Sequence, residues 1–119
     1  MEMLIALLLT TQPVAAPVPD WRPLGTARDQ YRLAWDAASV VRGAEVVTVR
    51  FRTEAAQSPE TSRRLESRLE IRCAASTMRV VETVTYAPDG SVVRRDDVPA
   101  PFETIPAGSF VATIRQAVC

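Results

Sequence analysis

The feature that most constrains the fold of this chain is a strict alternation of side-chain types over residues 65–73. Leucine, serine, isoleucine and cysteine occupy the odd positions, and charged residues occupy the even positions. A β-strand points successive side chains to opposite faces, so the pattern predicts a strand at residues 65–74 with one buried face. The spacing of four between Leu65 and Leu69 is instead typical of a helix, but one such pair weighs less than the sustained alternation. Cys73 is then expected to face the core.

Most of the remaining chain is also typical of β-structure. Shorter runs predict strands at residues 31–35, 39–42 and 47–52, and the Pro-Asp-Gly sequence within residues 87–90 predicts a tight hairpin turn. A proline-rich, extended lead-in anchored by Trp21 is expected before these strands. Later in the chain, one helical turn is expected after Ser58, and a proline-rich segment at residues 99–106 is expected to break regular structure.

The C-terminal residues have the pattern of a short amphipathic helix. Ser109 is a suitable N-cap, and Phe110, Ile114, Ala117 and Val118 follow on one face. A helix this short is unstable alone, so it must pack on the sheet. The sequence therefore predicts an α+β fold, with a single antiparallel sheet of about five to six strands and a C-terminal helix packed on it.

The N-terminus predicts export. Residues 3–9 are apolar and the small pair Ala15 and Ala16 follows, which is typical of a secretory signal at residues 1–16, with one domain at residues 17–119. The apolar run is shorter than the roughly 20 residues that span a bilayer, so the protein is not expected to be membrane-spanning. Glu2 does not fit a signal, and the alternatives are a start at Met3 or an ordinary N-terminal tail. With a signal, the protein is expected in the periplasm, at the cell surface or secreted.

Export gives the two cysteines a role. In an oxidising compartment Cys73 and Cys119 are expected to form a disulfide that staples the helix to the sheet, and closing so long a loop stabilises by roughly 4 kcal/mol. The alternative is two unrelated thiols, one buried and one at a loose end. Prenylation at Cys119 is excluded, because that modification requires a cysteine four residues from the end.

Composition excludes several functions. The chain contains no histidine, and all of its 14 basic residues are arginines, so Ser-His, Cys-His and Ser-Lys catalysis is impossible. A zinc site is not expected either, and no cofactor is predicted. The 14 acidic residues balance the charge, so nucleic acid is not an expected partner. We expect a protein that is not an enzyme.

Four groups of residues are the remaining candidates for function, and each has an ordinary structural explanation. Asp96 and Asp97, near Asp89, suit acid-base chemistry or Ca²⁺, but such a pair is more typical of a solvated strand end. Glu82 is typical of an edge-strand charge that opposes aggregation. The aromatic residues Trp21, Tyr31 and Trp35 and the arginines Arg50, Arg52, Arg68 and Arg72 suit binding surfaces, although core packing and cross-strand ion pairs with Glu66 and Glu70 explain them as well.

The order of short motifs resembles that of the surface-adhesin protein E family of Gram-negative envelope proteins. The resemblance covers essentially the whole chain after the predicted signal. Its motifs are Trp21, Leu24 and Gly25; an aromatic strand from Tyr31 to Asp36; Ser39 and Gly43 around a turn; a strand ending at Cys73; Tyr86 and Gly90 around a hairpin; Ile105, Pro106, Gly108 and Ser109; and the terminal Cys119.

The resemblance implies an antiparallel sheet, a C-terminal helix and a disulfide from the helix end to a strand. It also implies binding of a protein partner, such as the matrix and serum proteins vitronectin and laminin, and a tendency to form homodimers. The family's adhesive segments often contain lysine, and this chain offers no matching positions. The predicted function is an exported envelope interaction module, and the alternative is a periplasmic accessory or inhibitor protein that binds an endogenous partner.

Overall fold

Six consecutive strands pair antiparallel with their neighbours in chain order to form one sheet, and a two-residue seventh strand extends it. The computed structural model describes residues 18–28, 30–97 and 100–119, so the predicted signal peptide at residues 1–16 lies outside the described residues. The strands are β1 (Trp21–Ala27), β2 (Tyr31–Arg42), β3 (Val47–Ala55), β4 (Arg64–Arg72), β5 (Thr77–Tyr86), β6 (Val92–Asp96) and β7 (Glu103–Thr104). The predicted single antiparallel sheet is confirmed.

The helix α1 (Phe110–Val118) packs on one face of this sheet, as predicted. Its N-cap Ser109 accepts a hydrogen bond from the backbone N–H of Ala112 through its side chain, which satisfies one of the free donors of the first turn. Ile114 and Val118 are buried in the core. The strand residues of this core are Trp35, Val47, Val49, Leu69 and Ile71.

The predicted disulfide ties the end of α1 to the sheet. Cys73 follows directly after β4, and its sulfur is bonded to that of Cys119, with 5.7 Å between the two Cα atoms. Arg115 of α1 donates a hydrogen bond of 2.7 Å to the carbonyl oxygen of Cys73, next to the disulfide. The C-terminus is therefore fixed to the sheet at the end of β4.

The strand predicted from the alternation is β4, within two residues of its expected ends. The expected hairpin is formed by β5 and β6, where Gly90 has a positive φ of 90°, a conformation open to glycine. A 3₁₀ turn at Pro59–Thr61 is the predicted single helical turn.

Three local features differ in detail from the sequence prediction. The proline-rich lead-in becomes a strand from Trp21 onward, because β1 is at the sheet edge, where Pro23 costs little. The two strands expected on either side of residues 37–38 form the single strand β2, with a bulge between Asp36 and Val41. The segment predicted to be irregular contains β7, which pairs with the start of β5.

One helix position also differs from the prediction. Ala117 was expected on the apolar face but is exposed, while Ile114 and Val118 are buried as predicted. A methyl side chain fits either environment, so its apolar character alone does not determine the face.

Candidate functional site

Alternation along the strands places a second set of side chains on the face of the sheet opposite α1, which we call the open face. Val49 of β3 and Leu69 of β4 are buried in the core beneath α1. Their sequence neighbours Arg50 in β3 and Arg68 in β4 therefore point to the other side and belong to the open face. Arg50 lies directly opposite Arg68 in the register. Other charged residues of this face include Asp36, Arg52, Glu54, Glu66, Glu70, Arg79 and Glu82.

Asp36 fixes Arg50 near the centre of the open face. Only 1% of Asp36 is exposed, and its Oδ2 accepts a hydrogen bond of 2.8 Å from Nη2 of Arg50. Its Oδ1 accepts hydrogen bonds from the backbone N–H groups of Asp20 and Ala38. Burial raises the pKa of this carboxyl, but the hydrogen bonds and the charge of Arg50 outweigh burial and hold the pKa below its ordinary value. Asp36 is therefore charged at neutral pH.

Aromatic rings on or beside the open face are covered by guanidinium groups. The Arg52 guanidinium lies 4.4 Å from the centre of the Trp21 ring, and that of Arg64 lies 4.7 Å from the Tyr86 ring. Phe102 lies beneath two arginines, Arg72 at 3.8 Å and Arg79 at 4.4 Å. Such stacking holds a cation by attraction to the ring face.

The cross-strand ion pairs expected on this face are present in part. Glu70 pairs with Arg79 at 2.6 Å and Glu82 pairs with Arg95 at 3.2 Å, both between neighbouring strands. Arg52 lies opposite Glu66 in the register but pairs with Glu54 on its own strand, at 3.4 Å.

Glu66 has a different partner. Burial raises the pKa of the Tyr86 hydroxyl, and the charge of Glu66 and its hydrogen bond with that hydroxyl raise the pKa further. Tyr86 therefore stays protonated at neutral pH, and its hydroxyl is available to donate to Glu66.

Two cavities meet at Arg50 and Arg68. One of about 300 Å³ lies toward β5 and β6, and one of about 350 Å³ lies toward β2; both arginines line both cavities. The first is also lined by Glu66, Glu82, Val84, Tyr86 and Arg95, and the second by Asp36, Ser39, Val41 and Thr48. The arrangement presents guanidinium groups between an aromatic-lined and a hydroxyl-lined hollow, which suits recognition of an anionic group on a protein surface.

A further cavity of about 620 Å³ lies at the end of the sheet near the disulfide, between the turns at residues 43–46 and 73–75. Its walls are mostly small and apolar, and its charged side chains are Glu45 and Arg72. It brings together few polar groups for recognition.

The three aromatic residues considered as a binding platform do not come together. Trp35 is 8% exposed and belongs to the core beneath α1, whereas Trp21 is paired in register with Asp36 and stacks with Arg52 on the open face. Tyr31 is 44% exposed at the far end of β2. Core packing therefore explains Trp35, and Trp21 alone belongs to the candidate surface.

Two of the candidate carboxylates are engaged within the fold. Asp96 pairs with Arg94 at 2.8 Å, and Asp89 accepts hydrogen bonds from the backbone N–H and the hydroxyl of Ser91 within the hairpin turn. In the described part of the chain, no three His, Cys, Asp or Glu side chains come together in an arrangement that would hold a metal ion.

Sequence reasoning recognised the arginines of the open face but missed three of its members. In the sequence, Asp36 is the end of an aromatic strand, and the only signal for its role is a carboxylate within an otherwise apolar stretch. The sequence places Tyr86 in a hairpin and Phe102 in a break in regular structure. Their stacking with arginines depends on the cross-strand register, which cannot be derived from the sequence pattern.

No helix within residues 18–28, 30–97 and 100–119 has both the length and the apolar character needed to cross a membrane.

Comparison with known proteins identifies the family of this chain. No curated protein and no solved structure matches the chain significantly. The family model described as surface-adhesin protein E matches residues 21–119, which cover the whole sheet, the helix and both cysteines. The chain therefore belongs to the surface-adhesin protein E family.

Proposed function

We propose that this protein is an exported, non-enzymatic envelope protein that binds a protein partner through its open face. The observation that carries the proposal is the combination of arginines and aromatic rings on one accessible sheet face. Arginine, tryptophan and tyrosine are the residues that most often dominate binding energy at protein interfaces. Family membership supports a surface-adhesin-like protein at the envelope or the cell surface.

The other face of the sheet is occupied by α1, which supports assigning recognition to the open face. The buried residues Ile114 and Val118 fill the space above β3 and β4, and the disulfide fixes the helix there. A partner that docked on the core side would have to displace a covalently attached element.

Site-specific photo-crosslinking in the native bacterium tests this proposal. A photoreactive p-benzoylphenylalanine replaces Thr48, which lines the cavity beside Arg50 on the open face, and as a matched control it replaces Thr113, on the exposed side of α1. We expect a cross-linked protein adduct from position 48 and none from position 113. Adducts from position 113 alone, or from neither position, would contradict the proposal.

Protease added to intact cells distinguishes the two proposed locations of the protein, the cell surface and the periplasm. A surface adhesin is degraded because the protease reaches it, whereas a periplasmic accessory or inhibitor protein is protected until the outer membrane is opened.

Light scattering of the purified protein, which gives its molar mass, tests the homodimer that the family resemblance implies.

A further inference from the structure

Arg68 differs from the other arginines of the three central strands. Within the described residues, β3, β4 and β5 contain Arg50, Arg52, Arg64, Arg68, Arg72 and Arg79, and all of these except Arg68 either pair with a carboxylate or stack on an aromatic ring. Arg68 has neither kind of partner among these residues, although it is exposed at the middle of β4.

The carboxylates directly across the sheet from Arg50 and Arg68 are already engaged. Asp36 binds Arg50 and two backbone N–H groups, and Glu82, directly opposite Arg68 on β5, pairs with Arg95. On its other side Arg68 faces Arg50, and like charges directly opposite each other in a sheet are unfavourable. An anion placed between the two guanidinium groups would remove that repulsion.

Arg50 is held ready for such an anion. Asp36 engages one of its terminal nitrogens, and the Trp21 ring lies 5.9 Å from its guanidinium carbon. Its side chain is still 41% exposed, so the guanidinium remains accessible from the solvent side. A side chain already fixed in position loses less entropy on binding than a free one.

We propose that Arg50 and Arg68 together bind a single carboxylate of the protein partner, the side chain of a glutamate or an aspartate. The proposal rests on the proposed function of the open face and names the group recognised there. Two guanidinium groups offer several N–H donors to the two oxygens of one carboxylate. The Val84 side chain, which is 4% exposed, lines the adjoining cavity and offers an apolar surface to the methylene groups of a glutamate.

The interleaved acidic residues favour this occupant over a polyanion. Glu66 and Glu82 line the cavity that adjoins the arginine pair. A sulfated or phosphorylated polymer would place repeated negative groups beside these glutamates, whereas one carboxylate flanked by neutral or basic residues of a protein adds a single negative charge.

Titration of the ¹⁵N-labelled protein with two blocked tripeptides tests the proposal by NMR. The probes are acetyl-Ala-Glu-Ala-amide and the uncharged control acetyl-Ala-Gln-Ala-amide, and the readout is the Nε–Hε resonances of the arginines. We expect saturable shifts at Arg50 and Arg68 with the glutamate peptide and none with the glutamine peptide. Loss of a charged hydrogen-bond partner in Arg68→Gln should weaken binding roughly tenfold.

A matched variant controls for loss of charge. Arg94→Gln removes an exposed strand arginine from β6, where Arg94 lies opposite Thr85 and pairs with Asp96, so binding of the glutamate peptide should be unchanged. The urea midpoint of Arg68→Gln should be equal to or above that of the wild type, because a like-charge neighbour is removed, and this excludes misfolding as the cause. Equal shifts with both peptides, shifts unaffected by Arg68→Gln, or Arg68-dependent binding of dextran sulfate without binding of the glutamate peptide would overturn the proposal.

The cross-linking experiment separates failure of this proposal from failure of the proposed function. With the photoreactive residue at position 48, the wild type should give an adduct, and Arg68→Gln should give at least about fivefold less. Equal adducts in both would overturn the carboxylate site and leave the proposed function standing. No adduct in either would count against the proposed function itself, and the peptide titration would still decide whether the arginine pair binds a carboxylate.

Discussion

Asp36 connects the edge of the sheet to its interior. It is a buried charge, and burying an isolated charge is costly, but here each carboxylate oxygen accepts hydrogen bonds. These bonds link three places: the start of β1 through Asp20, the bulge of β2 through Ala38, and β3 through Arg50. One side chain therefore joins the edge strand to the strand that carries the candidate site.

Removing this carboxylate should destabilise the protein. Asp36→Ala leaves two backbone N–H groups and a guanidinium without their acceptor, so we expect the free energy of unfolding to fall by about 2–4 kcal/mol. Urea denaturation followed by tryptophan fluorescence measures the change. Asp20→Ala is the control, because its exposed pairing with Arg22 contributes little and its backbone N–H is retained.

The contribution of Asp36 should also depend on pH. Its pKa is lower in the folded protein than in the unfolded chain, so its stabilisation is complete above the unfolded value of about 3.9 and is lost as the pH falls through the folded value. The difference in unfolding free energy between the wild type and Asp36→Asn should therefore shrink below about pH 4. A difference that stays constant from pH 7 to pH 3 would contradict the assignment of a lowered pKa.

At the scale of the elements, the sequence predicted those whose side chains alternate between very different environments. Strand β4 was predictable because charged and apolar residues alternate along it, and α1 because Ser109 caps a run with apolar residues at helical spacing. The edge strand β1 was not predictable, because Pro23 is unfavourable in most strands and acceptable only at an edge. Whether a strand lies at an edge is a property of the whole sheet.

The candidate site was predictable only in outline. The alternation placed Arg50 and Arg68 on one face, and the interleaved glutamates predicted ion pairs. The register places Arg68 opposite Glu82, but Glu82 pairs with Arg95 on the neighbouring strand, which leaves Arg68 without a carboxylate among the described residues. A shift of two residues in register would change every pair while keeping the same alternation, so the isolation of Arg68 is information that only the folded chain contains.

The packing of α1 gives a test of the helix face. Ile114→Ala removes a side chain that is 1% exposed, so we expect the free energy of unfolding to fall by about 2–5 kcal/mol from lost burial and the cavity left behind. Ala117→Ser, at the position that the sequence placed on the apolar face and the structure exposes, should change it by less than about 0.5 kcal/mol. Thermal and urea unfolding of both variants measure this; a large loss in Ala117→Ser would show that the helix is rotated.

For the whole molecule, the disulfide connects the end of the chain to its middle. The sulfur atoms join residues separated by 46 positions, and the loop that they close contains β5, β6, β7 and α1. We expect Cys73→Ser with Cys119→Ser to lower the free energy of unfolding by about 2–4 kcal/mol. Hydrogen exchange should show the greatest loss of protection in α1, because so short a helix depends on its attachment, and less in β3 and β4. A uniform loss across the sheet and helix would contradict this division.

The two faces of the sheet have different proposed roles. The face beneath α1 provides stability through buried apolar residues and the disulfide, and the open face carries exposed charges whose optimal pairing is incomplete. Residues that bind a partner are often not those that maximise stability, because a group saturated within its own chain is not available to a ligand. The division requires the disulfide to form, and therefore an oxidising compartment.

The intact mass of the protein recovered from its native host tests that requirement. We expect the mass of residues 17–119, since the proposed signal at residues 1–16 would be removed. The protein should gain two alkyl groups only when reduction precedes alkylation, because Cys73 is bonded to Cys119. In a Cys119→Ser variant the single remaining thiol should be alkylated without reduction once the protein is denatured, which controls for access of the reagent. A mass that includes residues 1–16, with both thiols alkylated in the absence of reductant, would place the chain in a reducing compartment. The open face would then have no extracytoplasmic partner to bind, and the proposed function would fall with it.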